Sequence, residues 1–251
     1  MKYPADPMNK WDLLQKRIVS CELCPRLREH CQKTAIEKRA AFRLHDYWGK
    51  PVPNFGPRSA RLLIVGLAPA AHGGNRTGRV FTGDRSGDFL FRVLHETGFA
   101  NQPTSEHLQD GLELIDAVIT AVAHCAPPAN KPLPEELSQC APFLRQTFDL
   151  LPNLRGVVAL GKIAFDHCLK IYSSRGWLQT KPKPRFGHGL FYFPDAAPFL
   201  AGSFHPSQQN TFTGKLTHPM MVQVFARARQ LIESTDDDRS RTKSATCALP
   251  A

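Results

Sequence analysis

The sequence predicts an α/β fold, in which a four-stranded, mainly parallel sheet is flanked by helices to give three layers. Short apolar runs recur along the chain and alternate with stretches of helical periodicity, as in parallel sheets. Each run is mostly apolar, which is typical of strands buried on both faces. With 251 residues, 42% of them hydrophobic, the chain can bury the core of one domain. We expect residues 1–235 to form that domain and the polar residues 236–251 to be a disordered tail.

The predicted elements follow one another in a regular order. An amphipathic helix over residues 8–20 precedes an irregular segment, 32–60, which can begin with a helix. Strands are predicted at 62–65, 117–123, 155–161 and 199–204, with Phe191–Phe193 as a candidate edge strand. Further helices are predicted over residues 88–97, 134–151, 162–172 and 218–234.

Three long polar loops leave the carboxyl ends of these strands, over residues 66–87, 124–133 and 205–217. In a parallel sheet such ends share one edge, which is where open α/β sheets bind ligands. The loops are therefore expected to meet over one cleft.

The first loop carries the residues with the most chemistry. Phe81 can stack on a planar ligand, Asp84 can place a water molecule, and the glycines allow close approach to a phosphate. Arg76 and Arg79 add positive charge. His205 follows the last strand within HPSQQNTFTGKLT. A lone histidine is more often structural, but this polar loop faces the same edge as Asp84, which favours a functional role.

The chain is basic, with a net charge of +10 from 32 Lys and Arg against 22 Asp and Glu. This charge favours a polyanion partner, most often nucleic acid, over a merely basic surface. No stretch approaches the roughly 20 apolar residues of a membrane helix, and the first residues lack the apolar core of a secretory signal. We expect a cytoplasmic protein.

Seven cysteines in such a chain argue against disulfides and for a metal or redox use. Cys21 and Cys24 form a CxxC pair, and Cys125 and Cys140 are the next candidates. Spacing allows zinc or a [4Fe–4S] cluster, and Cys31 can replace one of the four. The other cysteines, Cys168 within a helix and Cys247 in the tail, are expected to be a buried apolar residue and a spare thiol.

Three features together resemble the family 5 uracil-DNA glycosylases, of the UDGb type, in the uracil-DNA glycosylase superfamily. They are GLAPAAHGGNRTGRVFTGDRSG, the CxxC pair with two later cysteines, and HPSQQNTFTGKLT. The resemblance spans roughly residues 18–234. It implies a four-stranded parallel sheet and a [4Fe–4S] cluster, whose ligands it assigns to Cys21, Cys24, Cys125 and Cys140.

The resemblance also implies an activity, the excision of a flipped, deaminated base from DNA. His205 would stabilise the departing base, Asn130 would hydrogen-bond its edge, and Asp84 would orient water. Phe81 would stack on the base, over a pocket floor formed by the backbone of Gly66, Leu67 and Ala68. Phosphate contacts are expected from Arg76, Arg79, Ser207, Thr211 and Lys215, and the residue that fills the vacated stack is expected to be Leu216 or Phe212.

One position departs from the wider superfamily, in which many members carry Asp or Asn where this chain has Ala68. Its absence is typical of family 5, and it leaves the water-positioning role to Asp84. Such enzymes also resemble one another in accepting several deaminated bases, so hypoxanthine is an expected substrate beside uracil. We expect a monomer.

The alternative from another class is a non-catalytic, metal-containing DNA-binding module. Asp84 and His205 at one cleft argue against it, since a binding module requires neither. A purine-directed glycosylase is a second alternative. A nucleotide-phosphate hydrolase is a third, although the chain lacks a GxxxxGK[ST] phosphate loop.

Overall fold

The computed structural model describes residues 7–234, and its centre is a five-stranded sheet in the order β2-β1-β3-β5-β4. The strands are β1 (Leu62–Gly66), β2 (Ala117–Ala121), β3 (Gly156–Leu160), β4 (Phe191–Tyr192) and β5 (Phe199–Ser203). The predicted four parallel strands are confirmed. The fifth, β4, is the candidate edge strand, and it pairs antiparallel with β5.

The parallel strands are buried along their whole length, which explains why their sequences are mostly apolar, with Thr120 and Ser203 as buried polar residues. In register, Leu62 lies opposite Ala117 on one side and Gly156 on the other. Alternate side chains point to opposite faces of a sheet. Leu62 and Ile64 therefore enter one core and Leu63 and Val65 the other.

Helices cover both faces and complete the predicted three layers. The helices are α1 (Pro7–Val19), α2 (Pro25–Glu37), α3 (Gly74–Thr77), α4 (Arg85–Glu96), α5 (Pro134–Leu150), α6 (Lys162–Ser174), α7 (Gln208–Phe212) and α8 (His218–Glu233). The core on one face is built with α4 and α8, and the core on the other face with α1, α5 and α6.

The helix α2 begins before the segment in which the sequence allowed one. Pro25 occupies its first turn, a position that suits proline because its missing N–H has no helical partner. The buried positions of α2 include Arg28, Cys31 and Thr34, so the helix lacks a continuous apolar stripe.

The predicted tail, 236–251, lies outside the described residues, as does Cys247, and the prediction of one domain over 1–235 stays a prediction. Among residues 7–234, no helix has the length and apolar content needed to cross a membrane.

Candidate active site and cysteine cluster

The carboxyl ends of β1 and β5 bring three predicted residues together. A side chain on Gly66 would place its Cβ 2.9 Å from the ring of Phe81, so the ring of Phe81 lies directly over this glycine. The same ring lies 5.7 Å, between centroids, from the imidazole of His205. The cleft expected from the loops therefore has a planar apolar wall beside a histidine.

Phe81 is held in a left-handed backbone conformation, with φ of +52°. Its carbonyl faces the start of α4, where a Cβ on Gly87 would lie 1.9 Å from the Phe81 oxygen. An aromatic residue rarely adopts this conformation unless its surroundings impose it. The close packing of Gly87 is part of what imposes it here.

Asp84 caps the N-terminus of α4 and is partly buried. Its Oδ1 accepts a hydrogen bond from the Gly87 N–H at 3.0 Å, and its Oδ2 faces Gly73, where a Cβ would lie 2.0 Å away. Loss of water around the carboxylate raises the pKa of Asp84 above its ordinary value, although N–H groups of Gly87 and Ser86 act in the opposite direction. The carboxylate is thus fixed in place by the helix end and by a glycine.

His205 follows β5, and its carbonyl accepts a hydrogen bond from the Asn210 side chain at 2.8 Å. Burial lowers the pKa of His205 to about 4, so the imidazole is neutral near pH 7 and can donate one hydrogen bond. No described side chain is hydrogen-bonded to its ring nitrogens.

His188 positions this end of β5, and the sequence carried no signal for that role. Its Nδ1 accepts from the Phe204 N–H at 3.1 Å, so its Nε2 carries the proton and donates to the Met220 carbonyl at 3.2 Å. The ring also stacks on Phe204. His188 thereby ties the residue before His205 to α8.

The remaining predicted base-binding residues lie at the same edge but differ in their surroundings. The carbonyls of Gly66 and Leu67 accept hydrogen bonds from the chain that extends β2, and Leu67 and Ala68 are half-buried. Asn130 is exposed, with φ of +56°, in a short turn after β2. No described contact joins Asn130 to Phe81 or His205.

The prediction that Arg76 and Arg79 contact phosphates is wrong for this structure. The side chain of Arg79 is 2% exposed and forms an ion pair with Asp110 at 2.6 Å. Arg76 is 6% exposed, and it donates to the carbonyls of His72 and Gly83, each at 2.8 Å. Both guanidinium groups hold the loop together from inside, since a buried charge requires such partners.

The two residues expected to fill the vacated stack, which we call the candidate wedge residues, differ in their exposure to solvent. Leu216 is 1% exposed and belongs to the core, so its predicted contact with DNA is wrong. Phe212 is 68% exposed, and the guanidinium of Arg85 lies 5.5 Å from its ring. Lys215 is exposed, and Thr211 and Ser207 are half-buried at α7.

The four cysteines assigned by the resemblance line one small cavity, which lies beside α2 and α5. Cys21 and Cys24 precede α2, Cys125 follows β2, and Cys140 lies within α5. Among residues 7–234, no three His, Cys, Asp or Glu side chains converge closely enough to hold a single metal ion. Four thiols around one cavity fit a polynuclear iron–sulfur cluster, whose ligands are cysteine thiolates.

At Cys24 and Cys140 the surrounding protein disfavours the thiolate form. Burial raises the pKa of Cys140 to about 12, and the pKa of Cys24 is raised by burial and then by Cys21. Interaction between the two thiols raises the pKa of Cys125 and lowers the pKa of Cys31. The alternative fourth ligand, Cys31, therefore lies in the same buried cluster as the assigned ligand Cys125.

An ion pair beside this cavity was not predicted from the sequence. Arg26 donates to Glu136 through Nε at 2.7 Å and through Nη2 at 2.8 Å. It joins the turn that carries Cys24 to the helix that carries Cys140. No spacing rule pairs residues so far apart in sequence, although each stands close to a cysteine.

Residues 53–229 match the family model described as the Uracil DNA glycosylase superfamily. The type-5 uracil-DNA glycosylase of Mycobacterium bovis is 47% identical over 219 residues, which cover 87% of this chain and 80% of that protein. The protein of the same description from Thermus thermophilus is 45% identical over 214 residues, covering 85% and 94%. That from Pyrobaculum aerophilum is 39% identical over 222 residues, covering 88% and 93%.

Proposed function

Because the chain belongs to the uracil DNA glycosylase superfamily, we propose that it is a monofunctional DNA glycosylase that hydrolyses the bond between uracil and deoxyribose. The observation that carries the proposal is the contact of the Phe81 ring with both Gly66 and His205, on the loop that fixes Asp84. A base turned out of the duplex would stack on Phe81 in this cleft. The product is an abasic site.

The chemistry requires a donor at the base and a carboxylate near the sugar. As the N-glycosidic bond breaks, its electron pair goes to uracil and the sugar becomes oxocarbenium-like. Neutral His205 donates a hydrogen bond to the departing base, and Asp84 orients the water that adds to C1′. The negative charge of Asp84 also favours the cationic sugar. Asn130 would hydrogen-bond the base edge, which its exposed loop leaves it free to reach.

Excision of hypoxanthine is a finer part of the proposal. It is supported by the resemblance and by the small side chain of Ala68, which leaves the pocket floor without a polar side chain at that position to select one base edge. Uracil and hypoxanthine both present a carbonyl to a hydrogen-bond donor.

The DNA contacts proposed outside the pocket come from the loop after β5. Lys215 is exposed and can pair with a phosphate, and Ser207 and Thr211 can donate hydroxyl hydrogen bonds to the backbone. Phe212 is the wedge that fills the gap left by the flipped base, because an exposed aromatic ring can insert between base steps. The proposed enzyme acts as a monomer.

The proposed cofactor is a [4Fe–4S] cluster, which would be held by Cys21, Cys24, Cys125 and Cys140. When bound, it supplies four metal–thiolate bonds that crosslink α2, the loop after β2 and α5, and it takes no part in base excision. Four cysteine side chains around one cavity support this proposal, and metal binding provides the positive charge that favours a thiolate at Cys140, whose pKa burial raises to about 12.

The test uses labelled duplexes that contain one uracil or one hypoxanthine, with abasic sites then cleaved by alkali. Wild type is compared with Asp84→Ala and His205→Ala, and with Asp166→Ala on the surface of α6 as a matched control. We expect wild type and the Asp166→Ala control to cleave the duplexes, and we expect both cleft variants to lose this activity. Cleavage intact in Asp84→Ala would move the water-positioning role elsewhere.

No cleavage of either base by wild type that carries its iron would overturn the glycosylase proposal. A protein that still bound the duplex would then be a DNA-binding module.

A further inference from the structure

Leu44 is the most exposed of the large apolar side chains that the structure describes, with 96% of its surface open to solvent. It stands at the tip of a turn in which the His45 N–H donates to the Phe42 carbonyl at 3.1 Å. The adjacent Arg43 is exposed as well. The turn thus presents a leucine and a cation side by side.

Both ends of this turn contact the same buried guanidinium. The Cζ of Arg76 lies 4.0 Å from the centre of the Phe42 ring, and its Nη1 lies 3.1 Å from Nδ1 of His45. On its other side, Nη2 donates to the carbonyl of Gly83, the residue before Asp84. One side chain therefore connects the turn to the loop of the proposed active site.

The chain that follows the turn stays on this loop. The hydroxyl of Tyr47 lies 2.9 Å from Nδ1 of His72, and the Trp48 N–H donates to the Arg76 carbonyl at 2.9 Å. A side chain on Gly78 would collide with the ring of Trp48, 2.9 Å away. The position of the turn relative to the loop is thus fixed by several independent contacts.

We propose that Leu44 is a second intercalating side chain, which enters the stack of duplex DNA next to the flipped nucleotide. It would act from the β1 side of the cleft, whereas Phe212 lies on the loop after β5. Exposure of the Leu44 side chain to water is unfavourable, and burial between DNA bases would remove this cost. Unstacked base steps accept such apolar side chains. Arg43 would pair with the neighbouring phosphate. This inference rests on the proposed glycosylase function.

The test compares Leu44→Ala, Leu44→Met and wild type on one uracil-containing strand, offered single-stranded and in duplex, under single-turnover conditions. Ile115→Ala is the matched control, because Ile115 is 48% exposed and precedes β2, at the sheet edge away from the cleft. We expect Leu44→Ala to slow duplex cleavage by about 10-fold, in line with the burial of one leucine, and to leave the single strand unaffected. Leu44→Met should restore the duplex rate.

Equal duplex rates for Leu44→Ala and wild type would overturn the inference and leave the glycosylase proposal standing. An equal loss on both substrates would also overturn it, because the turn would then only support the loop. If wild type cleaves neither substrate, the glycosylase proposal fails. Affinity for a duplex with a stable abasic-site analogue then decides whether Leu44 contacts DNA, since unchanged binding by Leu44→Ala would refute it.

Discussion

Replacing Gly73 by alanine is expected to move the carboxylate of Asp84 and thereby slow base excision. The new Cβ would lie 2.0 Å from Oδ2 and 2.8 Å from Cγ of Asp84. Carbon atoms in contact prefer about 3.5 Å, so the carboxylate or the loop must shift by roughly 1 Å or more. A displacement of that size at a reacting group can cost about 100-fold in rate. We expect a loss of about that size in the single-turnover rate.

The same shift would weaken the hydrogen bond from the Gly87 N–H to Asp84, so α4 should lose about 1 kcal/mol of capping energy. The assay is single-turnover cleavage of a uracil-containing duplex, with urea unfolding measured in parallel. Gly187→Ala is the control, because the Cβ there would meet only Leu190, at 3.9 Å. A Gly73→Ala variant that cleaves at the wild-type rate, while Asp84→Ala does not, would refute the placement of the carboxylate.

Three further predictions follow from the same contacts. Asp84→Asn should lower the single-turnover rate by about 100-fold or more while leaving urea unfolding nearly unchanged, because asparagine caps a helix as well as aspartate but carries no charge. His205 has a pKa near 4 in the folded protein against 6.5 ordinarily, so protons bind the unfolded chain first and stability falls as the pH drops between these values. His205→Gln should therefore lose less stability than wild type between pH 7 and pH 4.5, by about 2 kcal/mol, in urea unfolding at both pH values. Cys125→Ser should lower the iron content of the purified protein, whereas Cys31→Ser should retain it, and the reverse result would exchange their roles.

The parallel strands could be predicted because burial on both faces leaves a signal in each strand itself. Leu62 to Val65 is apolar at every position, and no distant residue is needed to recognise it. The helix α2 lacked such a signal, since a buried Arg28 or Thr34 looks like a surface residue in sequence.

The arginines of the first loop show why part of the site could not be predicted. An arginine that contacts a phosphate and an arginine that pairs with an internal carboxylate look the same in an amino-acid sequence. The fate of Arg79 depends on Asp110, which lies 31 positions away, and that of Arg76 depends on carbonyls that carry no sequence signal. In the same way, Leu216 and Phe212 are both apolar, and only the folded structure shows that Leu216 lies in the core while Phe212 is exposed.

The Arg26–Glu136 ion pair closes a loop of 110 positions without any metal. Closing so long a loop costs chain entropy, and a partly exposed ion pair returns only about 1 kcal/mol. The ion pair therefore stabilises the contact between α2 and α5 only weakly. It can hold the two helices near each other while a cluster is inserted, but it does not keep them together without the cluster. In a chain that has lost its iron, we expect a protease to cut first around residues 20–40, while the sheet stays folded.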